Sequence, residues 1–260
     1  RRPVATYLVA YSSHYEGQLR LPWPCGPMLS GKNFQAIFSR DQLTADDLSN
    51  QLARPVQFLG NPFMDPVLPP TSLLTNTQPR IGLLPGSRRP ELEANLQLLL
   101  RLSDQLPDNI GISLELALVS SLDDTGLERC ANGVGWQLRD GLLQRQGSPA
   151  VRVRRGAFQA VLQQSDLVIS MAGTAAEQAV GLAKPVLQLA GQGPQFTASF
   201  AEAQRRLLGP TVFCAPGDSG SQDNLFASAQ LALKLLKRIH HDLDFQKQCR
   251  TEAQRRLGSS

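Results

Sequence analysis

Residues 81–106 read IGLLPGSRRPELEANLQLLLRLSDQL. The run Ile81-Gly82-Leu83-Leu84 has no polar side chain and stops at Pro85-Gly86, as a strand buried on both faces would. Beyond the turn, Leu92, Leu96, Leu99 and Leu102 recur at the spacing of one helical face, which predicts a helix over 90–106. A buried strand, a glycine turn and an amphipathic helix form the first part of a βαβ unit. The alternation continues downstream. Strands are expected at 112–119, 151–153, 167–169, 185–189 and 211–213, and helices at 157–164, 174–182 and 195–208. A further helix and a short strand fall between 122 and 138, and 140–149 reads as a loop. Two helices, 222–239 and 242–256, close the chain. This order predicts an α/β fold: a Rossmann-like parallel sheet with helices on both faces.

Upstream the pattern is less regular. Strands are expected at 3–9, 35–38 and 56–59, a Gly- and Pro-rich loop at 17–33, and a helix over 41–48 with Asp41 as its N-cap. Residues 66–79 hold four prolines and no charge, which suggests a link between domains. The expected division is 1–68 as one unit, 69–79 as linker, 80–240 as the main domain and 241–260 as a terminal helix. The chain opens on Arg1-Arg2-Pro3 without an initiator Met, so it is expected to be a fragment lacking its N-terminal part.

Composition narrows the function classes. Hydrophobic residues make up 42% and charged residues 18%, enough for a sizeable core. A net charge of +4, spread along the chain, suits anionic ligands better than a nucleic-acid surface, and no nucleic-acid partner is expected. The four cysteines lack CxxC spacing and there are three histidines, so neither a disulfide framework nor a metal site is expected, and reduced thiols point to a cytoplasmic protein. Neither a signal peptide nor a membrane-spanning run is expected.

In open α/β sheets ligands bind beyond the carboxyl ends of strands, and three such loops stand out. In Leu84-Pro85-Gly86-Ser87-Arg88, Gly86 permits close approach of a ligand, Ser87 can N-cap the next helix, and Arg88 can hold a phosphate. The tetrapeptide alone also fits an ordinary turn with a surface arginine. It is not the GxGxxG fingerprint, which argues against a dehydrogenase. In Ser170–Gln178, small residues surround Gly173 and Thr174, and Glu177 follows one turn later. Glu177 can accept both hydroxyls of a ribose, or it can be the glutamate of a T-x-x-E capping box with Thr174. In Ala190–Phe196, Gly193 and Gln195 can meet sugar hydroxyls or a phosphate, or form a plain Gly-Pro turn.

Taken together, LLPGSR at 83–88 followed by Glu91, GTAAE at 173–177, and FLGNPFMD at 58–65 resemble motifs of the lipid-A-disaccharide synthase family and its related branch. The likeness covers about residues 35–257. Ala172 stands where that family has serine, Asn61 where it has histidine, and Glu177 comes one residue early. The resemblance implies the donor-binding domain of a GT-B glycosyltransferase, with a remnant of the N-terminal domain ahead of it. It implies a UDP-sugar held by Gly86, Ser87, Arg88, Gly173, Thr174, Glu177, Gln178, Gly193 and Gln195, with neither metal nor cofactor. It further implies a lipid acceptor and peripheral contact with the inner face of the membrane. The catalytic base would lie early in the full-length N-terminal domain, so no catalytic residue is assigned and this chain alone is expected to be inactive. A UDP-sugar epimerase or hydrolase on the same fold, and a non-catalytic nucleotide-sugar-binding protein, are the alternatives. The basic tail, with seven Lys/Arg after Leu231, fits either an anionic membrane or the solvated face of two helices. Leu225, Ala229, Ala232, Leu236 and Ile239 read as the buried stripe of the first.

Overall fold

The computed structural model describes residues 2–17, 20–72, 78–109, 111–191 and 197–258. The chain starts with β1 (Val4–Leu8), two short helices α1 (Ser13–Glu16) and α2 (Cys25–Leu29), β2 (Phe34–Ser39) and α3 (Gln42–Leu52). β1 and β2 pair in parallel. Asp41 caps α3 as expected: its carboxylate accepts from Thr44 N at 2.8 Å and from Ser12 Oγ at 3.0 Å.

The larger unit contains β3 (Arg80–Leu84), α4 (Glu91–Ser103), β4 (Ser113–Leu118), α5 (Asp124–Asn132), β5 (Gln137–Arg139) and β6 (Leu142–Gln144). β7 (Val151–Arg155), α6 (Phe158–Gln164), β8 (Leu167–Ser170), α7 (Gly173–Gly181) and β9 (Val186–Gln188) follow. The last elements are α8 (Ala198–Leu208), β10 (Val212–Cys214), α9 (Gln222–His241) and α10 (Leu243–Leu257). Among the described residues the sheet order is β10-β9-β8-β3-β4-β7-β6-β5. It is parallel from β10 to β7 and antiparallel at β6 and β5. The fold is thus the α/β arrangement that the sequence pattern predicts.

Period-2 alternation divides the strand side chains between two cores. Ile81, Leu83, Leu114, Leu116, Leu167 and Ile169 pack with the leucines of α4 and with α9 on one face. Leu84, Ala117, Val168, Val186 and Val212 pack with α6 and α7 on the other. The consecutive apolar residues of β3 and β8 are explained by this: each strand is buried on both sides.

The strand order carries the main consequence for function. From β3 the chain builds outward through β4 to β7, then returns to place β8 against the other side of β3 and builds outward again through β9 to β10. Strand order therefore reverses between β3 and β8. α4 follows β3 onto one face and α7 follows β8 onto the opposite face. Divergence of two successive connections at such a point leaves a crevice at the carboxyl ends of the strands.

Several expectations are corrected. Residues 140–149 are not simply a loop, because β6 forms an antiparallel hairpin with β5 around Asp140-Gly141, which both adopt positive φ. Residues 56–59 form no strand; the segment makes one isolated bridge, Phe38 with Gln57. Within 17–33, residues 25–29 are helical. Ser87 does not N-cap α4, which begins at Glu91 with Pro90 as N-cap and no side-chain cap bond. Proline at that place pre-sets φ and has no N–H to satisfy.

Of the expected linker, Pro69–Ser72 lies against α6, where Gln159 and Gln163 donate to Pro69 O and Gln164 donates to Ser72 O. α10 returns to pack on α7, and Asn61 N donates to Leu257 O at 2.8 Å. Of the basic tail, Arg238 pairs with Asp242 and lies over the Phe245 ring, while Arg255 and Arg256 both reach Glu252. Leu225, Ala229, Ala232 and Leu236 are buried, and Ile239 is partly so. Among the described residues no helix is long and apolar enough to cross a membrane.

Candidate functional site

A cavity of about 960 Å³ opens at the reversal between β3 and β8. Its floor is the carboxyl end of β3, β4 and β8. One wall is the Pro85–Arg88 turn with Glu91 and Asn95 of α4, and the other is the first turns of α7 with Phe200 and Gln204 of α8. Gly86, Ser87, Arg88, Gly173, Thr174, Glu177 and Gln178 all line it, so the structure brings these seven expected residues together. Gly193 and Gln195 lie outside the described residues.

Local chemistry holds the two walls in place. Gly86 sits at φ +94, in the left-handed region open to glycine, and a side chain there would come to 3.7 Å from Ala172 Cβ. The two loops thus approach within van der Waals contact. Asn95 Nδ2 donates to Pro85 O at 2.9 Å and ties the turn to α4. Ser170 Oγ donates to Ala172 O at 3.0 Å and accepts from Ala172 N at 3.2 Å, closing a tight turn ahead of α7.

α7 begins one residue earlier than a cap at Thr174 would require. Ala172 is its N-cap, without a side-chain cap bond, and Thr174 lies inside the first turn, exposed to the cavity. The T-x-x-E capping box is therefore not formed. With no side-chain cap, the first N–H groups of α7 are left to face the cavity, where the helix dipole favours an anion. A helical turn of about 5.4 Å separates that end from Glu177.

Glu177 is buried and joined to Arg40, whose Nη2 lies 2.8 Å from Oε2. Burial raises the pKa of the Glu177 carboxyl, and the Arg40 guanidinium pulls against that rise. Gln178 also lines the cavity, with its Nε2 donating to Phe63 O at 2.7 Å. On the α4 side, Glu91 is buried with Oε2 lacking a hydrogen-bond partner.

Among the residues at this site that the sequence reading did not single out as site residues are Glu91, Asn95 and Arg40. Glu91 and Asn95 carry a usable signal: two polar residues, four apart, at the start of a leucine-rich helix that follows a glycine turn. Arg40 carries none. It lies just after β2 and 137 residues from its partner. Among the described residues no group of three or more His, Cys, Asp or Glu is placed to hold a metal.

Comparison with family models and with curated proteins finds no match. Solved structures do match. One, described as a UDP-N-acetylglucosamine 2-epimerase from Listeria monocytogenes, aligns at 18% identity and a TM-score of 0.51, over 90% of this chain and 58% of its own. The likeness is one of fold. A co-structure of S. aureus MnaA with UDP aligns at 14% identity and a TM-score of 0.51, over 86% of this chain and 56% of its own. The spinosyn rhamnosyltransferase SpnG, in complex with spinosyn aglycone, aligns at 16% identity and a TM-score of 0.46, over 78% of this chain and 48% of its own. The chain thus spans about half the length of these three solved proteins, 58%, 56% and 48%.

Proposed function

We propose that this chain supplies the donor side of an enzyme acting on a UDP-sugar, and that the reaction is transfer of the sugar to an acceptor, as in the lipid-A-disaccharide synthase family. The observation that carries this reading is the placement of the Pro85–Arg88 turn and the uncapped start of α7 on opposite sides of the β3–β8 reversal, with the Glu177 carboxylate on the same cavity. The diphosphate is assigned to the α7 N–H groups and the 86–88 turn. The ribose hydroxyls are assigned to Glu177, and the sugar to the space between Glu91 and Gln178. In this reading the helix end stabilises charge on the departing diphosphate as the sugar–oxygen bond breaks. The uridine base and a lipid acceptor rest on the motif resemblance.

A second reading, epimerisation of the UDP-sugar, is favoured by the folds at a TM-score of 0.51, one described as a UDP-N-acetylglucosamine 2-epimerase and one a co-structure with UDP. The two readings part in one experiment. The chain, joined to the acceptor-side domain that this reading requires, is incubated with UDP-N-acetylglucosamine, with and without a glycolipid acceptor, and followed by phosphorus and proton NMR. Transfer releases UDP only when acceptor is present. Epimerisation inverts the C2 signals with no UDP release. Absence of both reactions, together with no binding of UDP or UDP-sugar by calorimetry at millimolar concentration, would sink both readings.

A further inference from the structure

The carboxyl ends of the small parallel sheet point at the carboxyl-end loops of the large one. Arg40 directly follows β2, and Val9 directly follows β1. Arg40 Nη1 donates to Val9 O at 3.2 Å, while Nη2 donates to Glu177 Oε2 at 2.8 Å. Arg40 is a buried residue, 8% exposed, and it is not among the residues that line the cavity. The guanidinium thus reaches the carboxylate from the carboxyl end of the small sheet, while Glu177 itself lines the cavity.

An ionised carboxylate offers about four lone-pair positions on its two oxygens. The single Arg40 contact takes one of them, so the remainder suffice for the two hydroxyls of a ribose. A protonated carboxyl turns one oxygen into a donor and leaves its carbonyl oxygen to be shared between Arg40 and the hydroxyls. Burial favours that protonated form, and the facing cation works against it. Tyr7 of β1 also faces this pair, with its buried hydroxyl lacking a partner, and Asp41 is the next acid along the chain from Arg40. Arg40 is the cation that holds the carboxylate by a direct hydrogen bond.

We propose that Arg40 is a positioning residue for nucleotide recognition: it holds Glu177 ionised and turned so that its free acceptor positions meet the 2′- and 3′-hydroxyls of the ribose. This rests on the assignment of Glu177 to the ribose. It makes the small sheet part of donor recognition even though none of its residues enters the cavity. A bolt that merely fastens the two sheets together would affect stability without changing preference for ribose over deoxyribose.

The test compares the affinity of the full chain for UDP and for 2′-deoxy-UDP by calorimetry, where stoichiometry reports the folded fraction. The unsubstituted protein is expected to prefer UDP by about tenfold, the value of one charged hydrogen bond. Arg40→Gln should bring the two affinities within about twofold of each other. Arg40→Lys, whose ammonium cannot span Val9 O and Glu177 together, should retain part of the preference. In an Arg40→Gln/Glu177→Gln double variant the Arg40 change should add nothing to the loss caused by Glu177→Gln alone. If Glu177→Gln leaves the preference intact, the ribose assignment fails and the proposal falls with it. If Glu177→Gln abolishes the preference while both Arg40 variants keep it in full, the ribose assignment stands and the role of Arg40 is overturned. Tighter UDP binding by Arg40→Gln would show that Arg40 competes with the ribose, which also overturns it. Should Arg40→Gln fail to fold, Arg40→Lys alone decides, since an unchanged preference there refutes positioning.

Discussion

Truncating Glu177 removes a ligand acceptor and strands a buried cation in the same stroke. Loss of hydrogen bonds to a charged group costs about 1.5–3 kcal/mol, so Glu177→Ala should weaken UDP binding by roughly 10- to 150-fold. The same change leaves Arg40 buried without its partner, for which about 3–5 kcal/mol of stability is the usual cost, visible as a lowered denaturant midpoint. A capping-box glutamate would give a loss near 1 kcal/mol and leave affinity intact, but Ala172 and not Thr174 caps α7. The carboxyl also sets a pH dependence. Its folded-state pKa is raised by burial, against the pull of Arg40, so the stability it contributes is present in acid and lost as pH rises through that raised value. Affinity runs the other way: protonation removes acceptor sites. UDP affinity measured relative to 2′-deoxy-UDP, which cancels titration of the phosphate itself, should fall on acidification at a pH above the ordinary glutamate value. Tyr7, pushed up to about 12 mainly by burial, stays neutral throughout that window. An affinity ratio that stays flat on acidification down to the ordinary glutamate value would contradict the assignment.

Among the elements, α7 joins the site to the rest of the molecule. Its first turn faces the cavity, and its last residue, Gly181, meets the short 3-10 turn Pro62–Met64 and the end of α10. A Cβ at Gly181 would overlap the Met64 thioether and stand 3.3 Å from Leu257 Cβ. Met64 is 2% exposed and has little room to move. Gly181→Ala should therefore destabilise the chain by about 1–3 kcal/mol through overpacking. Pairing it with Met64→Ala should recover part of the loss, so the double variant ought to melt above the additive expectation. Simple additivity would show that the contact is not what limits position 181. Element prediction succeeded where the signal was local and failed where it was not. The leucine stripe of α4, the apolar runs of β3 and β8 and the cap at Asp41 are each written within a few residues. The short β6 edge strand and the lone bridge at Gln57 depend on partners elsewhere, and three- to five-residue segments have too little periodicity to announce them.

For the whole molecule, binding adds to folding. A ligand present at about 100 times its dissociation constant stabilises by roughly 2.7 kcal/mol, which for a chain of this size raises the midpoint of melting by about 5–10 °C. UDP should produce that shift and ADP a smaller one at equal concentration; a larger shift with ADP would remove uridine from the proposal. The sequence by itself determined the order of strands and helices, their burial on two faces and the identity of the loops at strand ends. Periodicity of 2 and 3.6, and the backbone demands of Gly and Pro, are properties of a few neighbouring residues. Seven of the nine residues proposed from those loops lie on one cavity, and the other two fall outside the described residues. Only the tertiary structure decided that β8 returns beside β3 and opens the crevice there, that α7 starts at Gly173 without a side-chain cap, and that Arg40 pairs with Glu177. Strand order and a salt bridge across 137 residues are set by which apolar faces pack and which buried charges must be paired, and no short stretch of sequence carries that information.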